Sequence, residues 1–235
     1  HQFGHVLMGE QDARISLLDR LLAHAHATAR FNVYYGDGRD SYDVRGRTVH
    51  ESIFNVANGI YRCPSTQQGY SPFSTWTRGL AWILAGYSEL LEWLRDRYGA
   101  GHEVEPGGEV ERVWLRTACA VADYHIETTP PDGIPYWDTG APRLGAIEEW
   151  STMNADPFTA VEPVDSSAAA ISAQGLLRLG KYLVTEADRL AQIEKRFLAD
   201  PVRLVDDDAA VALGVVPSVG VRRKFDRHRH RHPIG

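Results

Sequence analysis

Apolar positions recur at helical spacing through most of the chain. From Glu10 to about Asn32 they fall at Ile15, Leu18, Leu21, Leu22, Ala25 and Ala29, which is one face of a helix. A second helix is predicted where Ser74 and Thr75 offer capping hydroxyls and Trp76, Leu80, Ile83, Leu84, Tyr87, Leu91 and Leu94 follow. Gly79, Ala85 and Gly86, beside Trp82, leave room there for a neighbouring backbone or a ligand. After the loop 99–108, a third stripe runs through Val110, Val113, Trp114, Thr117, Ala118 and Val121. It stops before the turn sequence Pro130-Pro131-Asp132-Gly133. Asp165 is the natural N-cap of a fourth helix through Ala168 and Ile171 to about Tyr182, whose alanines and Gly175 predict close packing. A fifth helical segment is predicted over about Ala187–Leu198.

Between these helices lie two long connections. Gly36–Asp40, Ser41–Val44 and Thr48–Phe54 read as a hairpin or irregular excursion with little strand, and Ile134–Asp138 has no helical period. The expected fold class is all-α, with helices packed as paired hairpins. No repeat of fixed period is visible, which argues against a consensus solenoid. Beyond Asp200 the texture changes to an acidic triplet, small apolar residues, and the run His228-Arg229-His230-Arg231-His232. The expected organisation is a helical domain over residues 1–200 and a low-complexity basic tail, disordered, over 201–235. The tail could hold a metal or an acidic polymer, but reads more simply as a solvated end.

Composition narrows the classes. With 43% hydrophobic and 24% charged residues in 235, the chain has the proportions of a globular protein and not of a disordered one. Its longest apolar stretches, such as Leu80–Gly86, fall far short of the ~20 residues that span a bilayer, so no membrane partner is expected. The net charge of -6 gives no general affinity for nucleic acid. Two cysteines, Cys63 and Cys119, are too few for a disulfide framework, and with no secretory leader in sight a cytoplasmic setting is expected. The chain starts at His1 in mid-pattern, which suggests a piece of a longer reading frame. His24 and His26 share a helix without the i, i+4 spacing of a metal pair, and no metal site or cofactor is expected.

The chemistry concentrates in the two long connections. His50, Gln67, Gln68, Tyr70, Phe73, Trp76, Arg78 and Trp82 surround the first; Tyr136, Trp137, Asp138, Glu162, Asp165 and Ser166 surround the second. Aromatic faces laid on sugar C–H bonds, with amides and hydroxyls at the ring oxygens, bind carbohydrate. Six tryptophans and ten tyrosines can supply such a site, although aromatic residues in helical proteins more often serve the core.

Four motifs sharpen this reading: Thr66-Gln67-Gln68-Gly69-Tyr70, Ser74-Thr75-Trp76-Thr77-Arg78-Gly79-Leu80-Ala81-Trp82, Asp132-Gly133-Ile134-Pro135-Tyr136-Trp137-Asp138 and Asp165-Ser166-Ser167-Ala168-Ala169-Ala170-Ile171. In this order and spacing the chain, from about Glu10 to Leu198, resembles the unsaturated glucuronyl hydrolases, glycoside hydrolase family 88. The resemblance implies an (α/α)6 barrel, present here as an incomplete barrel of paired helices. It implies an unsaturated uronyl oligosaccharide as substrate, hydrated at its vinyl ether with no cofactor. An aspartate protonates C4, water adds at C5, and the resulting hemiketal collapses to release the next sugar; general acid/base help of this kind contributes ~10²–10⁴-fold. Carried over residue by residue, the resemblance makes His50 and Gln68 polar substrate contacts, Trp76 and Trp82 a stacking wall, Arg78 the partner of the uronate carboxylate, and Trp137 a residue beside the pocket.

The departures shape the expectation too. Leu80 stands where the family has Gln, Pro72-Phe73 where it has two acidic residues, and Gln67 where it has His or Arg. The family's two catalytic aspartates lie upstream of the matched segment, so the catalytic residues here are unknown and the chain alone is expected to be inactive. Two other readings share the fold: an unsaturated rhamnogalacturonyl hydrolase, and a glycan-binding or scaffold remnant without turnover. Taken singly, Arg78 could be a surface ion-pair partner, His50 a satisfied histidine, and Asp165 simply a cap.

Overall fold

The structure is a computed structural model that describes residues 6–8, 14–96, 108–147, 149–158 and 162–199. The elements run β1 (Val6–Met8), β2 (Arg14–Ser16), α1 (Leu17–Phe31), β3 (Glu51–Phe54), β4 (Tyr61–Ser65), α2 (Thr77–Asp96), α3 (Glu109–Thr128), a 3-10 turn at Leu144–Ala146, and α4 (Ser166–Ala199). The described residues are thus mostly helical, as the periodicity predicts. The strands form two antiparallel ribbons, β1 with β2 and β3 with β4, the second slipping register between Ile53 and Phe54. Among the described residues no helix is long and apolar enough to cross a membrane.

Two compact units divide the chain, residues 1–188 and 189–235. Of the second, only residues 189–199 are described, and these are helical. The expected basic tail, 201–235, lies outside the described residues.

The predicted stripes form the core of the first unit. Leu80, Leu84, Tyr87, Leu91 and Leu94 of α2 pack with Trp114, Ala118 and Val121 of α3, with Ala25 and Ala29 of α1 joining them. Leu179 and Tyr182 bring α4 into the same cluster. Gly175 permits that approach: a Cβ there would stand 2.8 Å from Leu84 Cγ and 3.0 Å from the Ala85 nitrogen, so α4 lies with its backbone against α2. Arg178 on α4 pairs with Glu92 and Glu89 of α2, and the Tyr182 hydroxyl donates to Glu111 of α3.

Several boundaries differ from the sequence expectation. The first helix starts at Leu17 and not near Glu10, because β2 precedes it and Ser16 caps it, its Oγ accepting the Asp19 N–H at 3.1 Å. Neither Ser74 nor Thr75 caps α2. The Thr75 hydroxyl is buried in the loops, donating to the Thr48 carbonyl at 3.0 Å and accepting the Thr48 N–H at 3.2 Å, while Ser74 Oγ donates to Ser71. The fourth and fifth predicted segments are one helix, α4, since residues 183–186 contain neither Gly nor Pro to break it. Gly86 meets nothing within 4 Å, so of the small residues around Trp82 it makes no close contact.

The two long connections pair with each other at the entry to α2. Trp76 bridges Asp138, Thr77 N donates to the Trp137 carbonyl at 3.1 Å, and Thr139 N donates to the Thr75 carbonyl at 2.9 Å. The Thr77 hydroxyl closes on the carbonyls of Tyr136 and Trp137 at 2.8 and 3.1 Å. Fully buried Asp138 is the hub: one carboxylate oxygen accepts the Tyr70 N–H and the other the Gly140 N–H, each at 2.9 Å. The last residue of the Pro-Tyr-Trp-Asp motif therefore shapes the loop that carries the Gln-Gln-Gly-Tyr motif.

Candidate functional site

Three of the six predicted site residues line one cavity. Between α1 and α2 a space of about 350 Å³ is walled by His50, Trp76 and Trp82 together with Gly79 and Ile83 on the α2 side, and by α1 on the other. That volume lies in the range of small-molecule sites.

Trp76 sits just before α2 with its ring folded back over the first turn. A Cβ on Gly79 would come within 2.8 Å of Trp76 Cε3, so the glycine makes room for the indole. Trp82, further along α2, remains 58% exposed, which leaves much of its ring open to a ligand.

His50 follows Val49, and the side-chain amide of Asn32 ties this strand of chain to the end of α1, donating to the Val49 carbonyl at 3.2 Å and the His50 carbonyl at 3.5 Å. The imidazole meets Trp76 edge-on, with ring centroids 4.8 Å apart. Its Nδ1 accepts the backbone N–H groups of Gln67 at 3.1 Å and Gln68 at 3.3 Å. An Nδ1 that accepts bears no proton, so in the neutral ring the proton is on Nε2, which acts as a donor. Gln68 thus orients His50 through its main chain, while its exposed side chain is not part of the cavity wall.

Arg78 and Trp137 belong to a neighbouring cluster. Arg78 Nε and Nη2 both contact Asp165 Oδ2, at 3.0 and 2.9 Å, with the arginine side chain 44% exposed and the aspartate 4%. Its guanidinium carbon lies 6.0 Å from the Trp76 ring, near the cavity but not on its wall. Asp165 has two tasks: its other oxygen accepts the Ala168 N–H at 2.9 Å and caps α4. Arg78 does form an ion pair, with a buried carboxylate and not one on the surface, and the cap weighed for Asp165 is present in the same arrangement.

The Trp137 indole N–H donates to Glu162 at 3.0 Å, and its ring stands edge-on to Tyr70 at 6.5 Å. Desolvation pushes the buried Glu162 carboxyl up, but hydrogen bonds from Trp137 and the Arg143 N–H, with the Arg143 charge, outweigh it and hold the group below the usual carboxylate range. Glu162 is thereby an ionised anchor for the loop.

The sequence reading missed the α1 wall. His24, Thr28 and Asn32 line the cavity opposite the indoles. Their spacing of four residues puts them on one helix face, and that spacing is the signal in the sequence, whereas the spacing of two between His24 and His26 points the pair to different faces. His26 faces a separate, mostly apolar groove of about 290 Å³ beside Trp114.

No family model matches the chain. Among curated proteins it is 32% identical over 161 residues to the unsaturated glucuronyl hydrolase of Bacillus sp. (strain GL1), covering 68% of this chain and 32% of the relative. It is 30% identical over 138 residues to the unsaturated glucuronyl hydrolase of Formosa agariphila, covering 56% and 27%. The chain therefore spans about a third of the length of the curated relatives it matches. Among solved structures, the Bacillus sp. GL1 enzyme aligns with 29% identity and a TM-score of 0.47 over 68% of this chain and 32% of that one. A Streptococcus agalactiae unsaturated glucuronyl hydrolase mutant, complexed with dGlcA-GalNAc6S, aligns with 22% identity and a TM-score of 0.37 over 59% and 29%.

Proposed function

We propose that this chain, similar over two thirds of its length to unsaturated glucuronyl hydrolases, supplies the sugar-binding wall of a glycoside hydrolase for oligosaccharides ending in a C4=C5 unsaturated uronic acid. The observation that carries the reading is the convergence of His50, Trp76 and Trp82 on one cavity. Aromatic faces suit the C–H face of a pyranose, and the His50 Nε2–H is a donor for a ring hydroxyl. The helices would be part of an (α/α)6 barrel, with the pocket at the end where the two long connections meet.

The reaction needs a proton at C4, water at C5, and collapse of the hemiketal so formed. No cofactor enters that balance. Gln68 acts through His50. Arg78, whose Nη1 is left over from the Asp165 pair, would meet the sugar carboxylate at the rim, and Trp137 would shape the loop beside it. The lining consists of aromatic, imidazole, amide, hydroxyl and aliphatic groups, a set suited to holding a sugar. This supports, as the second reading, glycan binding without turnover by the chain on its own.

The test is to incubate the full-length protein, since this chain alone is expected to be inactive, with lyase-generated unsaturated disaccharides. Loss of the double bond's ultraviolet absorbance supports the hydrolase. Saturable quenching of tryptophan fluorescence without that loss selects the second reading. Neither signal, from folded protein, would overturn both.

A further inference from the structure

The exposed surface of α1 has two faces of different character. Asp19, Arg20 and Arg30 are charged and face solvent, as an ordinary amphipathic helix requires. His24, Thr28 and Asn32 instead present an imidazole, a hydroxyl and an amide to the cavity, facing the indoles of Trp76 and Trp82. Over the eight steps from His24 to Asn32, the C-cap of α1, the chain rises about 12 Å, longer than a single pyranose ring.

These groups have hydrogen-bonding capacity to spare. Asn32 uses its NH₂ on the carbonyls of Val49 and His50, which fixes the amide and leaves its Oδ1 as an acceptor. Among the described residues, the His24 ring and the Thr28 hydroxyl make no hydrogen bond to protein, although Thr28 is partly buried. Across from them the wall is mainly aromatic and aliphatic, Trp76, Trp82 and Ile83, with His50 as a hydrogen-bonding group beside them. A groove with one largely apolar and one hydrogen-bonding wall fits a ligand that is itself two-sided. A sugar ring is such a ligand, with its C–H face on one side and hydroxyls around its edge.

We propose that the His24–Thr28–Asn32 stripe of α1 reads the hydroxyl edge of the sugar whose C–H face lies on Trp76, and so determines which sugars the cavity accepts. This rests on the reading of the cavity as a sugar site. Thr28 both donates and accepts, Asn32 accepts, and His50 donates from the opposite wall, so the pattern of hydroxyls that satisfies all of them is restricted. A ligand without those hydroxyls would strip water from the stripe and return nothing, which is how polar groups in a site give discrimination.

The experiment titrates dGlcA-GalNAc6S into the isotope-labelled protein and follows the Thr28 methyl, the His24 ring and the Trp76 indole by NMR. All three signals are expected to shift and to saturate at one common Kd. Thr28→Val, which keeps the shape and removes the hydroxyl, is expected to weaken binding by roughly three- to tenfold, the worth of one hydrogen bond, with an unchanged melting temperature. His24→Ala, at an exposed position outside the core, provides the second variant if Thr28→Val loses stability. Binding that moves Trp76 but leaves both variants at wild-type affinity would overturn the role of α1 and leave the sugar site standing. No response at Trp76 either would remove the sugar site and this proposal together.

Discussion

Asp165 joins two helices through two separate interactions, and they can be pulled apart by substitution. One oxygen caps α4 through the Ala168 N–H, and the other holds Arg78 of α2 through two N–H groups. Asn is as good an N-cap as Asp, so Asp165→Asn keeps a cap worth ~1 kcal/mol. It turns an NH₂ toward the guanidinium, however, and donor facing donor ends the Arg78 interaction. The arginine side chain is 44% exposed, so solvent screening limits the loss to roughly 0.5–1 kcal/mol despite the buried carboxylate. Asp165→Ala removes both interactions and is expected to cost about 2 kcal/mol. Urea unfolding measures the difference: with slopes of roughly 1–3 kcal/mol/M, each step moves the midpoint by a few tenths of a molar or more. A double-mutant cycle with Arg78→Ala should return a coupling of about 0.5–1 kcal/mol. Equal losses for the Asn and Ala variants, or a coupling of zero, would refute this division of labour.

Two further outcomes follow from particular contacts. Gly79→Ala gains up to ~1 kcal/mol of helix propensity but places a methyl against the Trp76 ring, so stability should stay near wild type while the indole shifts and sugar affinity falls. Fluorescence of Trp76 and a binding isotherm check this, and a stabilised variant with unchanged affinity would contradict it. Burial lowers the pKa of His125 on α3 to about 4, so the fold keeps this ring neutral while the unfolded chain protonates it below about 6.5. Stability carried by the neutral ring is complete above pH 6.5 and is lost as pH falls toward 4, by about 2–3 kcal/mol at pH 4.5. The urea midpoint of His125→Gln should therefore fall less between pH 7 and 4.5 than that of the wild type. Parallel losses would show that this histidine does not govern the acid response.

How much of this could be read in the sequence depends on how local each cause is. The core stripes were legible because burial on a helix writes a 3.6-residue period, and Leu80, Leu84, Leu91, Trp114 and Val121 are buried as that period predicts. The start of α2 was not, because the Thr75 hydroxyl that looked like a cap is used by Thr48, 27 residues away. The β3–β4 ribbon left only a faint pattern because the adjacent Ile53 and Phe54 are exposed alike, so no alternation of inside and outside marks it. Trp76 and Trp82 could be placed near a pocket from their motif, but the partner of Arg78 stands 87 positions along the chain and could not. The α1 wall was hidden for a related reason. His24, Thr28 and Asn32 become a site only once helix packing sets them opposite the indoles.

The most direct test of the central claim is a crystal structure of the protein with dGlcA-GalNAc6S bound. The account predicts a pyranose ring lying flat on Trp76, between Trp82 and the α1 residues, with a hydroxyl on His50 Nε2. A sugar found instead in the groove beside Trp114, or held only by Arg78 and Trp137 with the indole cavity empty, would contradict it.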